Sequence, residues 1–207
     1  MVDKDRLSSE TALLVFDMIN VHVKTPDGAV KGHYAPILEG IVDLVMGSRD
    51  RGLPIIFAYA NHRQDNKTTA VTYRDTDNRL RPIGEQPEQP IAVVSEGSWG
   101  NQIIDDLSAS ASDFFIPKYR WSAFHQTYLD LLCRTMGIKR LVLLGGSTDV
   151  GIASTAFSAR DLDYHLIFAH DGSVSPEKDN HEQFMRRIFP RMGIVRSVAE
   201  IWEMLDH

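Results

Sequence analysis

The run Leu141-Val142-Leu143-Leu144 passes through Gly145-Gly146-Ser147-Thr148-Asp149-Val150-Gly151 into Ile152, Ala156 and Ala159, which recur at helical spacing. Four apolar residues without polar alternation suit a strand buried on both faces, and a small-residue turn leading straight into a helix is the connection found in parallel α/β sheets. That turn falls at the C-terminal edge of its strand, where ligands bind in this class of fold. The segment therefore constrains both the architecture and the sheet edge at which to look for chemistry.

Five other short apolar runs, 12–16, 55–60, 114–116, 166–169 and 194–195, are bounded by turn residues and read as further buried strands. Helical spacing connects them, at Ile37-Ile41-Leu44-Val45, Tyr128-Leu131-Leu132-Thr135, Ile152-Ala156-Ala159 and Phe184-Ile188. Met136-Gly137-Ile138-Lys139-Arg140 before Leu141 reads as a helix stop followed by a strand entry, and Arg51-Gly52-Leu53-Pro54 before Ile55 repeats it. The expected fold is α/β, a Rossmann-like parallel sheet with helices on both faces. No internal repeat or low-complexity tract interrupts the pattern. Residues 62–98 lack a clear period and hold Pro82, Pro87 and Pro90, so they are expected to form a long excursion over the sheet edge, a lid or binding loop.

With 207 residues, 43% of them hydrophobic, the chain can bury one substantial core, and a single domain over 1–207 is expected. The formal charge of -6, with basic residues scattered among acidic ones, argues against a nucleic-acid surface and points to a small-molecule partner. No apolar run approaches the roughly 20 residues that span a bilayer. The polar start Met1-Val2-Asp3-Lys4-Asp5-Arg6 lacks the apolar core of a secretory signal, so a cytoplasmic protein without membrane contact is expected. Cys133 is the only cysteine, which excludes an intrachain disulfide and argues against a thiolate zinc site.

Two further strand ends carry chemistry. Asp17 follows Leu13-Leu14-Val15-Phe16, and Lys118 follows Phe114-Phe115-Ile116-Pro117. An aspartate after a strand often caps the next turn, and a lysine is usually solvated. The convergence of Asp17, Lys118 and Gly151 at one sheet edge favours a site instead. Cys133 lies well inside a helical stretch and is assigned to packing. Among the histidines, Asn61-His62-Arg63 supplies one imidazole, and His170 and His181 read as surface or packing residues. No metal and no cofactor are expected. Trp99 either walls a pocket or packs beneath the lid.

These segments resemble the isochorismatase-like superfamily, the cysteine hydrolases, over about 11–205. Asp17-Met18-Ile19-Asn20 is similar to the family's Asp-x-Gln-Asn, with Ile19 replacing Gln. Lys118-Tyr119-Arg120-Trp121-Ser122-Ala123-Phe124-His125 resembles the family's lysine followed by a Ser-Ala-Phe turn. Gly146-Ser147-Thr148-Asp149-Val150-Gly151 resembles the nucleophile turn, with Gly151 at the usual cysteine position. The resemblance implies a cis peptide between Gly146 and Ser147, anion-binding amides at Val150 and Gly151, and homo-oligomers. It also implies a pocket lined by Asn61, Trp99, Ser122, Phe124, His125, Gly146, Ser147 and Val150.

A cysteine hydrolase needs a thiolate, which glycine cannot supply. The leading expectation is therefore a hydrolase of a small carboxylated enol ether, as in the isochorismatases, with Asp17 as general acid and Lys118 orienting it. Gly151 would leave room for the substrate. The alternatives are an amidohydrolase of carbamoyl, ureido or carboxamide compounds whose cysteine has been replaced by Gly151, naturally or deliberately, and a non-catalytic binding protein. Ser147-Thr148-Asp149 is closer to the amidase branch. On the amidohydrolase reading, a cysteine at position 151 would by itself create activity.

Overall fold

The computed structural model describes residues 9–70 and 94–206. Most of the expected lid, 71–93 with its three prolines, lies outside the described residues; its two ends meet where His62 and Ser95 form a parallel bridge. Six strands are present: β1 (Thr11–Phe16), β2 (Ile55–Ala60), β3 (Phe114–Lys118), β4 (Arg140–Gly146), β5 (His165–Val174) and β6 (Ile194–Arg196). They form one parallel sheet in the order β3-β2-β1-β4-β5-β6. The helices are α1 (Asn20–Val23), α2 (Ala35–Asp50), α3 (Leu129–Met136), α4 (Ala153–Asp161), α5 (Lys178–Gln183) and α6 (Val198–Asp206). No described helix is long and apolar enough to cross a membrane.

Every residue of β1 is buried, because the sheet is covered on both sides. Alternate side chains feed two cores. Leu14, Phe16, Ile56, Ala58, Leu141 and Leu143 pack against α3 and α4, while Leu13, Val15, Ile55, Phe57, Val142 and Leu144 pack against α2 and α6. The sequence runs outward from β1 through β2 to β3, then resumes on the other side of β1 with β4. The order therefore reverses between β1 and β4, and that crevice is where a sheet of this type receives a ligand.

All six expected strands form, but β5 is longer than its apolar run. Its register with β4 slips between Leu143, opposite Phe168, and Gly145, opposite Ser173. The polar residues in between bulge outward, and Asp171 Oδ1 accepts the Val198 N–H at 2.7 Å, capping α6. Phe184–Ile188, expected as a helix, is a π-helical turn continuing α5. Helices α1 and α6 are additional to the expected set.

At the switch point, Gly145 pairs with Phe16 and has φ +106; an added Cβ would lie 2.3 Å from the Phe16 carbonyl oxygen. Only glycine fits both the dihedral and the space. Gly145→Ala is expected to destabilise the fold by about 3 kcal/mol, combining backbone strain and steric overlap. Chemical denaturation monitored by circular dichroism measures this, and an unchanged midpoint would contradict the close approach of β1 to β4.

Candidate active site

Asp17 leaves β1 with φ +49, a turn conformation that aspartate tolerates better than most residues. It holds three strands together. Its N–H donates to the Ala58 carbonyl at 2.8 Å, its Oδ1 accepts the Ala60 N–H at 2.8 Å, and its Oδ2 accepts Lys118 Nζ at 2.7 Å. The side chains of Lys118 and Asp17 are only 5% and 13% exposed, so the ion pair is largely shielded from water. Lys118 Nζ also sits 4.7 Å from the centre of the Phe16 ring, within range for a cation–π contact.

Phe16 connects this pair to Gly151. The ring is fully buried, and an ideal Cβ on Gly151 would lie 2.3 Å from its Cε1 and 2.9 Å from its Cδ1. The aromatic ring thus takes the space in which a side chain at position 151 would begin. The expected trio of Asp17, Lys118 and Gly151 meets in one place, joined by a residue the sequence suggested only as core.

The Gly146–Ser147 peptide is cis, as the resemblance implies. Thr148–Ile152 forms a π-helical turn leading into α4. Its first hydrogen bond runs from the Ile152 N–H to the Ser147 carbonyl at 3.0 Å. The amides of Val150 and Gly151 lie in this first turn, ahead of that bond, a position that suits them to a ligand's oxygen. Asp149 secures the turn by accepting from Ser147 Oγ, from Ser175 Oγ at 2.8 Å and from Asn180 Nδ2 at 2.7 Å. Burial alone would raise its carboxyl pKa, but these donors outweigh burial and hold it below the usual carboxylate range. On the other side of the turn, a Cβ on Gly146 would lie 2.2 Å from the Tyr34 hydroxyl oxygen.

Other expected site residues divide. Asn61 donates its backbone N–H to the Lys118 carbonyl at 3.0 Å, beside the pair. The Trp99 side chain is partly exposed, and its carbonyl accepts Asn20 Nδ2 at 3.0 Å, which anchors its turn to α1. Ser122, Phe124 and His125 make contacts of their own in the segment that follows β3. Ser122 Oγ donates to Ser158 Oγ at 2.8 Å, well along α4, and Phe124 packs on Tyr164 with ring centres 5.4 Å apart. His125 is exposed and donates its N–H to the Ser122 carbonyl. The motif docks its loop onto α4, aided by Thr155 Oγ1, which accepts the Ala123 N–H at 2.9 Å. Ile19, in place of the family's glutamine, is fully buried and bridges to Ile103. Burial pushes the Cys133 thiol up to about 11, in keeping with a packing role.

Besides Phe16, the structure brings His22 and Tyr34 to the site, neither singled out by a motif. Burial lowers the His22 pKa, the Asp17 charge partly opposes this, and Lys118 and Lys31 add to it. The result is a neutral imidazole close enough to sense both members of the ion pair. Tyr34 is buried, and its hydroxyl is held protonated well above the usual phenol range by burial and by the Asp17 charge. It can therefore donate a hydrogen bond.

The isochorismatase domain model matches residues 11–200. The chain is 33% identical over 135 residues to the isochorismatase family protein YwoC of Bacillus subtilis, covering 65% of this chain and 71% of that protein. It is 29% identical over 178 residues to the ureidoacrylate amidohydrolase RutB of Serratia proteamaculans, covering 79% and 69% respectively. An isochorismatase family protein from Burkholderia thailandensis superposes with a TM-score of 0.81 at 25% identity, covering 96% of this chain and 97% of the other.

The lowered His22 pKa gives the fold a predictable pH response. As the pH falls through the ordinary value of 6.5, the unfolded chain binds a proton at His22 that the folded chain refuses, so the unfolded state gains. Stability contributed by neutral His22 is complete above that value and is lost toward lower pH. His62, whose pKa is also lowered chiefly by burial, acts in the same direction. The denaturation midpoint is expected to drop between about pH 7 and about pH 5, and His22→Gln should reduce that drop. An identical pH dependence in the variant would contradict a desolvated His22.

Proposed function

Because the chain belongs to the isochorismatase family, whose domain model covers residues 11–200, we propose that it is a hydrolase working without a covalent nucleophile on a small carboxylated enol ether. The observation carrying this reading is the Phe16 ring packed where a side chain at position 151 would start. A site that had lost its cysteine by a single replacement would keep a space shaped for the thiol. Here that space is filled from the neighbouring strand, which supports a glycine that belongs to the design of the pocket.

In the proposed reaction, Asp17, ion-paired with Lys118 in the resting site, takes up a proton from solvent as the substrate enters and delivers it to the terminal carbon of the enol ether, whose double-bond electrons form the new C–H bond. The adjacent carbon becomes an oxocarbenium ion, to which water adds while its proton passes to the Asp17 carboxylate. Collapse of the hemiketal breaks the C–O bond and yields a carbonyl compound and an alcohol. Lys118 fixes the Asp17 carboxyl, and the amides of Val150 and Gly151 suit an anionic substrate oxygen. A small-molecule partner and a homo-oligomeric assembly belong to the same proposal on the strength of the resemblance.

The amidohydrolase reading draws support from the likeness to RutB and from Thr148-Asp149. It requires a thiol, and the packing of Phe16 changes what that reading predicts: a cysteine at position 151 alone would collide with the ring. Gly151→Cys is therefore expected to lose stability by about 1–3 kcal/mol through overpacking and to gain no amidase activity. Phe16→Val combined with Gly151→Cys should recover the stability and make the thiol accommodated.

The unaltered protein is expected to hydrolyse isochorismate or its amino analogue, and Asp17→Ala to lower that rate about 10²–10⁴-fold. Steady-state assays on these compounds and on a panel of ureido, carbamoyl and carboxamide acids decide the matter. A Gly151→Cys protein of unaltered stability that hydrolyses the panel would overturn the proposal in favour of a replaced cysteine. Binding of enol ethers without turnover would favour the non-catalytic reading.

A further inference from the structure

We propose that His170, His181 and Glu182 form a binding site for a divalent transition-metal cation behind the Ser147–Ile152 turn. One donor atom from each residue lies within 4.8 Å of the others. His170 stands on the outward bulge of β5, and His181 and Glu182 stand on α5, with the two imidazole centres 5.2 Å apart. The ligands come from two elements and form no local motif, so nothing in the sequence sets the two histidines apart from surface or packing residues.

Two of the donors have neighbours that bear on their orientation. Glu182 Oε2 is ion-paired with Arg186 Nε at 2.7 Å without forming a hydrogen bond, and Oε1 lies 3.9 Å from His170 Nε2. His181 Nδ1 lies 2.9 Å from Oγ1 of the fully buried Thr148. When Thr148 accepts, the proton resides on Nδ1 and the Nε2 lone pair becomes the ligand, the arrangement by which outer partners fix metal-binding imidazoles.

Metal–nitrogen bonds of about 2.0–2.1 Å in a tetrahedral site require donor atoms about 3.4 Å apart. The donor atoms must therefore close by up to about 1.4 Å, measured against the cluster's 4.8 Å limit. The side chains of His170 and Glu182 are 42% and 32% exposed and have room to move. Two imidazoles and one carboxylate suit Zn²⁺, Co²⁺ or Ni²⁺, with water completing the shell, and do not suit Mg²⁺ or Ca²⁺, which prefer all-oxygen sites. Through Thr148 the cation would brace the turn that carries Gly151, a role separate from the proposed proton transfer at Asp17.

The test uses the full chain, purified without a histidine tag and treated with chelator. Equilibrium dialysis with Zn²⁺ is expected to show one ion per chain, and Co²⁺ titration to produce the visible absorption of a four- or five-coordinate site. His170→Ala and His181→Ala should each weaken binding at least about 10-fold, and Thr148→Val about 10–100-fold, the usual range for loss of an outer partner. Because His181→Ala also removes a bond to the core, Glu182→Gln and a circular dichroism spectrum accompany it. His165→Ala, an exposed histidine at the far end of β5, is the control and should bind as the parent does. Absence of stoichiometric binding in the parent, or equal affinity in His170→Ala and Glu182→Gln, would overturn the proposal.

Discussion

The dipeptide Phe16-Asp17 holds the functional end of the sheet together. Asp17 reaches one way, binding the ends of β2 and β3 through Ala58, Ala60 and Lys118. Phe16 reaches the other, its carbonyl pressed against Gly145 and its ring against Gly151. Lys118 closes the circuit by resting over that ring. Four strand ends are thus coupled through two adjacent residues. Withdrawing either member of the ion pair would leave a poorly solvated charge, a loss of about 3–5 kcal/mol for a fully buried pair and less at this partly open position.

The same contacts account for what the pocket retains and what it lacks. The π-helical turn is held by the Asp149 staple, and on the proposed reading its Val150 and Gly151 amides receive an anionic group. What is missing is a nucleophile, and the aromatic ring fills that gap. Around the ion pair lie a neutral imidazole at His22 and a protonated phenol at Tyr34, both kept so chiefly by burial.

Much of the architecture was readable in the sequence because strands buried on both faces appear as uninterrupted apolar runs. The exception was the far half of β5, where His170 and Asp171 break the run and the strand resumes at Ser173. Helix α6 carried a readable signal in Val198, Ile201, Trp202 and Leu205, spaced by three and four residues, while α1 has four residues and too little pattern to detect. At the site, Asp17 and Lys118 were identifiable as strand ends and Gly151 as part of the turn into the following helix. Phe16 was not, since a phenylalanine inside a buried strand looks the same whether it faces a helix or fills a pocket. The Ser122-Ala123-Phe124-His125 motif was legible through its match to the family, while its contacts with Ser158 and Tyr164, far apart in sequence, carried no local signal.

The central claim is that chemistry begins by protonating carbon, and proton magnetic resonance of products formed in D₂O tests it most directly. If Asp17, whose carboxyl proton exchanges with solvent, acts as the acid, each turnover of an enol ether places one deuterium on the former vinyl carbon. Hydrolysis of an amide or carbamoyl bond involves no new C–H bond. Stoichiometric carbon-bound deuterium is the predicted result; turnover that leaves that carbon without solvent deuterium would contradict the account.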